Sequence, residues 1–315
     1  DKATFIIDSR TIRNGVLIPG VSKMEKHSLD GVKDLWVFVR YTGKPPPVVC
    51  KECKKSPCVC ARLPIGRPKT VMLPGGVKLE MVYIRPGTFM MGSPTSEKGR
   101  GNDERQHRVT ISKPFYLGKY EVTQEQYVAL MGNNPSRWKG KQLPVEQVTW
   151  HDAVAFCKRL TEQERKAGRL PAGYAYQLPT EAQWEYACRA GTTTPFAVSF
   201  TTSNTNYDTV MRRVGWFNGN SGGQTHPVGK KTANPWGLYD MHGNVLEWCA
   251  DRYGTYLAGS VPDPTGASAG SHRIYRGGGW HSAPRVCRSA QRDSFLEPSS
   301  RWHGLGFRVA LAPVR

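Results

Sequence analysis

Near its C-terminus the chain reads Tyr275-Arg276-Gly277-Gly278-Gly279-Trp280, then Cys287-Arg288-Ser289-Ala290-Gln291-Arg292, then Gly304-Leu305-Gly306-Phe307-Arg308-Val309. Three consecutive glycines permit positive φ or close backbone approach, and the tryptophan after them supplies a large amphipathic surface where glycine leaves space. Apolar anchors thus bracket an irregular polar and aromatic middle, the pattern by which a rigid scaffold presents a functional surface. A Gly-rich hairpin closing a sheet is the plainer reading of the same residues.

The chain has 315 residues, 38% hydrophobic and 10% aromatic, enough to bury a full core as one large domain with a small appendage. No apolar run approaches the length needed to cross a bilayer. A chain that begins at Asp1 is expected to have lost a leader or to have been trimmed. The formal charge of +19 attracts anions of every kind, nucleic acid and acidic glycan alike. No RNP-like aromatic pattern, helix-turn-helix signature or paired-His zinc finger accompanies it, which makes nucleic acid the minor reading of the charge.

Cys50, Cys53, Cys58 and Cys60 lie together in a Lys-rich segment after Pro45-Pro46-Pro47. Four thiolates this close suit either a tetrahedral zinc site or two disulfides, and in both cases they staple a segment too small to hold itself. Residues 1–70 read as a small basic β-rich region, with short strand-like runs at Thr4–Ile7, Gly15–Ile18 and Leu35–Val39. Arg62 to Pro74 reads as a proline-stiffened linker.

From Gly75 the organisation changes to a larger domain over 75–315. Met81–Ile84, Thr88–Met91, Arg108–Ile111 and Phe115–Gly118 carry strand and turn signals. Thr123 with Gln126 and Thr180 with Gln183 form capping boxes that start two helices. A third helix is expected over His151–Cys157, ending before the basic Lys158-Arg159 and the Gly168 break. After Gly191 loop composition dominates, and loops this extensive are usually functional or metal-braced. Further on, Asp240 and Glu247 flank a Gly243-Asn244 turn that can aim the carbonyls of Gly243 and Val245 at one point, a set of hard oxygens suited to Ca2+. Asp and Asn also make turns by bonding their own backbone.

Six ordered motifs resemble the formylglycine-generating enzyme (sulfatase-modifying factor) family: Ile84–Ser93, Tyr120–Thr123, Pro144-Val145-Glu146, Leu178–Ala187, Gly237–Trp248 and the Arg-Gly-Gly to Gly-Phe-Arg ending. The resemblance implies an α+β, C-type-lectin-like fold with much irregular structure. It also implies calcium at Asp240, Gly243, Val245 and Glu247, whereas a second calcium loop of the family has no clear counterpart in Trp216–Thr225. Enzymes of the family resemble copper oxidases that hold Cu(I) between two cysteines. Here the first of those positions matches Ser282, Cys287 falls at or near the second, and a hydroxyl does not replace a thiolate on Cu(I). Copper and formylglycine synthesis are therefore not expected. The His-x3-Glu-x-His triad of the related iron enzymes is missing as well. The resemblance further suggests a disulfide between Cys188 and Cys287, with Cys157 and Cys249 paired or left as buried thiols.

The ending is also similar to the variable proteins of diversity-generating retroelements, non-catalytic relatives whose C-terminal surface binds ligands. That similarity marks Trp280, His281, Ser282, Ala283, Arg285, Val286, Gln291, Asp293, Ser294, Phe295, Trp302 and His303 as the ligand-binding set, with the intervening Arg and Gly residues invariant. Aromatic residues and arginine are the material of contact hot spots. The expectation is a binding module for a protein or anionic glycan, placed outside the cytoplasm or on the cell surface. Its alternatives are a formylglycine-generating enzyme and a structural subunit held in an assembly by residues 1–70.

Overall fold

The computed structural model describes residues 67–198 and 206–314, together with two backbone strands at 23–29 and 32–39. The chain divides into two units, Asp1–Cys60 and Ala61–Arg315. In the first, β1 (Lys23–Leu29) pairs antiparallel with β2 (Val32–Val39). The expected strand at Leu35–Val39 lies within β2. The expectations at Thr4–Ile7, at Gly15–Ile18 and at the cluster Cys50, Cys53, Cys58 and Cys60 lie outside the described residues.

The second unit begins earlier than the linker reading allowed, because Lys69–Met72 already forms strand β3, paired antiparallel with β4 (Lys78–Ile84). Leu79 and Met81 of β4 are buried while Lys78 and Glu80 face water, and at the strand's end Ile84, on the face of Lys78 and Glu80, is buried in a second apolar cluster. The chain continues through β5 (Gly87–Met91), β6 (His107–Ile111) and β7 (Phe115–Gly118). It ends in β13 (Ala310–Pro313), which lies between β7 and β8 (Tyr174–Gln177) in the five-strand order β3-β4-β7-β13-β8. The last strand is therefore hydrogen-bonded into the interior of the curled sheet that the first strands begin.

Capping boxes start α1 (Gln124–Met131) at Thr123 and α3 (Glu181–Arg189) at Thr180, as read from the sequence. A third box, Thr149 with Asp152, starts α2 (Trp150–Lys166). This helix does not stop at Lys158-Arg159. Those two side chains face water while Leu160, Thr161 and Glu164 continue the buried face, so the basic pair lies on the outer stripe of an amphipathic helix. A fourth helix, α4 (Tyr207–Val214), occupies part of the stretch read as loop and buries Val210, Met211 and Val214.

Strand β9 (Leu246–Arg252) organises the C-terminal half. It pairs antiparallel with β11 (Arg273–Arg276) on one side and parallel with β12 (Leu305–Gly306) on the other, while β10 (Ser260–Pro262) joins β6 and β5. Residues 277–304 thus leave one flank of β9 and return to the other. Two apolar clusters lie beneath, one containing Phe156, Trp248 and Phe307 and the other Phe115, Trp184 and Met241. Full burial of each such side chain is worth roughly 1.5–3 kcal/mol.

Candidate functional site

The segment between β11 and β12 is fastened by four arginines with exposures of 0–4%. Arg276 donates to Glu185 and to the carbonyls of Ala290 and Gln291. Arg288 bridges Glu97 and Glu104 and bonds the Gly99 carbonyl. Arg292 pairs with Glu181 and reaches the carbonyls of Asp103 and Gly254. Arg308 pairs with Glu247 and bonds the carbonyls of Gly118 and Tyr239. The arginines expected to be invariant are therefore internal ties. Arg276 and Arg292 tie the irregular segment to α3 and Arg288 ties it to the loop at residues 97–104, while Arg308 anchors the chain just past it to β9.

Glycines at the start of the segment serve close approach. Gly277 and Gly278 have φ of 97° and 72°, and a Cβ on Gly278 would lie 2.5 Å from the Cys287 sulfur. This packing puts Trp280 at the surface, where its indole N–H donates to the His303 carbonyl at 3.1 Å. The Trp280 and His303 rings stack at 5.6 Å, His281 meets Trp302 edge-on at 4.4 Å, and Trp302 lies 5.3 Å from His303.

A fifth ring, Trp138, completes the group at 5.2 Å from Trp280 and 5.7 Å from His303, with the Arg137 guanidinium over it. Trp138 was not in the sequence-derived set. The signal that leads to it is Glu146, whose Oε1 accepts the backbone N–H groups of Arg137 and Trp138 and so shapes their loop. All five rings are half-buried. Burial, aided by the neighbouring His303, pushes the His281 imidazole down to about 4 and keeps it neutral, while its Nδ1 is buried with no hydrogen-bond partner among the described residues.

The other expected contact residues separate into distinct places. Ser282 points inward at 4% exposure, its Oγ accepting from the Gly279 amide and lying 3.2 Å from His281 Nε2. It supports the platform from inside, so its expected place on the ligand surface is corrected. Ala283, Arg285 and Val286 lie on or beside the 3-10 turn Pro284–Cys287, where Ala283 and Arg285 border an open cavity shared with Lys98 and Tyr207. Gln291 is drawn toward Arg288, and the Asp293 backbone pairs with Tyr275. Ser294 is half-buried next to Phe295, whose side chain is 86% exposed. No ring contact joins Phe295 to the tryptophans among the described residues.

The expected Cys188–Cys287 disulfide is not formed, and Cys157, Cys188, Cys249 and Cys287 are all free and buried. The two sulfurs belong to different apolar clusters. Cys188 Sγ faces Ser289 Oγ at 3.6 Å and both His242 Nε2 and the Met241 carbonyl at 3.8 Å, whereas Cys287 Sγ faces the Ala283 carbonyl. His242 lies between them, donating from Nδ1 to the Cys287 carbonyl and accepting the Ala197 amide at Nε2. Burial raises the Cys188 thiol to about 12 and Cys287 still further.

Around Asp240, the expected calcium loop forms a left-handed turn with φ of 57° at Asp240, 109° at Gly243 and 69° at Asn244. The Val245 amide and the Asn244 side chain both donate to Glu121, a buried carboxylate missing from the expected set. Glu121, Asp240 and Glu247 are all at most 1% exposed and face a single buried guanidinium, that of Arg308. Burial raises Glu121 well above the usual carboxylate range, and the charges of Asp240 and Glu247 add to the shift.

Asp240 Oδ2 accepts the Gly229 amide, but Oδ1 is buried without a partner. The excess of negative charge and this orphaned oxygen fit a hard cation. Glu247 fits less well than expected, since Arg308 takes both its oxygens and Trp184 bonds one of them. Among the described residues no group of three or more His, Cys, Asp and Glu side chains is arranged to hold a metal ion. Backbone carbonyls would therefore have to supply most of the donors.

A curled sheet that holds its own C-terminal strand in its interior, with an anchored irregular segment displayed from β9, defines a domain of the formylglycine-generating-enzyme type with a C-type-lectin-like fold. Residues 74–313 match the sulfatase-modifying factor enzyme 1-like domain, and the chain belongs to that family. Among its relatives, the chaperone protein LppX of Paenibacillus barcinonensis is 35% identical over 75% of this chain and 89% of that protein. The formylglycine-generating enzyme of Thermomonospora curvata is 33% identical over 74% of this chain and 94% of the enzyme. In structure the chain is similar to Treponema denticola variable protein 1, with a TM-score of 0.67 and 32% identity over 80% of this chain and all of the other.

Proposed function

We propose that this domain is a non-catalytic binding module of its family that holds a protein or glycan ligand, anionic in character, on the platform of Trp138, Trp280, His281, Trp302 and His303. The observation that carries the reading is the platform itself: five half-exposed rings in mutual contact, four of them on a segment locked in place by the buried Arg276, Arg288 and Arg292. Rigid aromatic anchors give contact area at little entropic cost, and exposed Arg137 over Trp138 supplies positive charge at the edge. The copper site also fits poorly. Ser282 Oγ is taken by Gly279 and His281, and burial keeps the Cys287 thiol protonated, so neither side chain presents a thiolate to Cu(I).

Loading the purified chain with Cu(I) and a cysteine-containing sulfatase peptide is expected to produce no oxygen consumption and no formylglycine by mass spectrometry. Stoichiometric formylglycine overturns the reading in favour of an oxidoreductase. On a glycan and protein array the chain is expected to retain a ligand that Trp280→Ala and Trp302→Ala each lose. Retention by both variants removes the platform from the function.

Calcium at the Asp240 turn, coordinated by Asp240 Oδ1 and backbone carbonyls with Glu121 and Glu247 supplying charge, belongs to the same proposal as a structural ion behind the platform. So does diversification of the segment, which the likeness to Treponema denticola variable protein 1 favours. Sequencing this segment from a natural population tests it. Substitutions confined to positions such as His281, Ala283, Gln291, Phe295 and His303 support it, and an invariant segment refutes it.

A further inference from the structure

A separate cavity of about 430 Å3 opens between β5, the C-terminal end of α3 and the loop at Trp236, and it shares no residue with the platform. Its size falls in the range of small-ligand sites, roughly 300–1,000 Å3. Three aromatic rings line it in series, Tyr186 lying 5.2 Å from Phe89 and 4.9 Å from Trp236. The arrangement is built into the backbone, because a Cβ at Gly87 would stand 2.2 Å from the Tyr186 hydroxyl. Only glycine leaves room for that ring.

The polar groups of the cavity are unevenly engaged. Arg189 is committed to Glu185 and to the carbonyls of Thr194 and Gly92, and Thr192 bonds the Arg189 carbonyl. By contrast, the Tyr186 hydroxyl, the Trp236 indole N–H and the guanidinium of exposed Arg108 have no hydrogen-bond or ion-pair partner among the described residues. Apolar ring faces with unmatched polar tips, next to a single uncommitted cation, call for an amphipathic anion.

We infer that this cavity binds an acidic sugar, a pyranose bearing a carboxylate. The C–H face of the sugar packs on Trp236 and Phe89, the half-exposed rings on either side of buried Tyr186, its hydroxyls accept from the indole N–H and exchange hydrogen bonds with the phenol, and its carboxylate pairs with Arg108. This site is independent of the platform, so either assignment can fail without the other.

The test is saturation-transfer NMR and calorimetry on the full chain at 0.15 M ionic strength, with digalacturonate and neutral galactobiose as probes. The acidic sugar is expected to bind saturably and about tenfold more tightly than the neutral one, a difference of about 1.4 kcal/mol. Arg108→Gln is expected to erase that preference and leave galactobiose unchanged. Trp236→Ala is expected to weaken both sugars about tenfold, while Trp236→Phe, which keeps a ring and controls for folding, retains most of the binding. Both titrations are repeated on Trp302→Ala, so that any sugar held by the platform is separated from binding in this cavity, and the Arg108-dependent preference is expected to persist in that variant. No transfer to either sugar, binding that survives Trp236→Ala, a preference that survives Arg108→Gln, or capture of an acidic peptide in place of the sugars overturns the inference.

Discussion

Replacing Arg288 by Met removes the tie between the C-terminal segment and the loop at residues 97–104. Arg288 lies 2.5 Å from Glu97 and 2.6 Å from Glu104, and the carboxylate side chains are 3% and 0% exposed. The variant leaves two buried carboxylates facing an apolar side chain and strands the Gly99 carbonyl. Breaking a buried pair by removing one partner costs about 3–5 kcal/mol. At about 2–4 °C per kcal/mol for a domain of this size, the melting temperature should fall by about 6–20 °C.

The sign of the pH dependence follows from the two acids. Burial pushes Glu104 up, but Arg288, Ser93 and the Gly101 amide more than offset it and hold the group below its usual range. Its contribution is therefore present above the unfolded pKa, about 4.3, and is lost as pH falls through the folded value. Glu97 is raised, burial outweighing Arg288. Without the arginine, burial is opposed only by Ser93 and the Gly101 amide at Glu104 and by the charge of Arg189 at Glu97, so both acids move up and the deficit of the variant should be smaller at pH 5 than at pH 8.

Urea denaturation of the full chain at both pH values measures this. The triple variant Glu97→Gln, Glu104→Gln, Arg288→Met should recover most of the loss at pH 8, since it removes the stranded charges along with their partner. A loss below about 1 kcal/mol for Arg288→Met, or a triple variant no more stable than the single, refutes the assignment of Arg288 as a tie.

Gly278→Ala combines a left-handed φ of 72° with a Cβ 2.5 Å from the Cys287 sulfur, and should cost about 2–4 kcal/mol in urea denaturation. Adding Cys287→Ala should remove the sulfur contact but leave the 3.1 Å approach to the residue 287 backbone and the left-handed strain. Glu146, raised to about 7 mainly by burial against the pull of the Trp138 and Arg137 amides, keeps its proton in the fold over a range where the unfolded chain has lost it. Stability should accordingly fall as pH rises from about 4.5 to 7, and Glu146→Gln should flatten that slope. Chelation with EGTA should lower the melting temperature of the native chain and leave Asp240→Asn unmoved. An equal shift in both would place the ion elsewhere.

Much of the frame can be read along the chain because it is set by neighbours in sequence. Thr123 with Gln126 and Thr180 with Gln183 cap their helices through contacts three residues apart, and both boxes form as expected. Charge at Lys158-Arg159 marks an exposed stripe as readily as a helix terminus, and α2 runs past it to Lys166, just before the Gly168 break. Tertiary contacts also decided Ser282 and Cys287. Neither the 3-10 turn nor the surrounding loop has a period from which inward and outward faces can be counted. Trp138 joined the platform only because Glu146 and the side chain of Gln124 hold its loop beside Trp280.

Local chemistry written in the residues thus determined the helices at Thr123 and Thr180, the strands from Met81 to Gly118, the family and the existence of an anchored C-terminal segment. The tertiary structure alone decided which side chains meet there. Arg288 and Glu104 are 184 residues apart, and Arg292 and Glu181 are 111 apart. Whether such groups pair depends on the insertion of β13 between β7 and β8 and on the two flanks of β9. Only the folded topology brings distant charges within hydrogen-bond distance, and propensity along the chain contains no term for it.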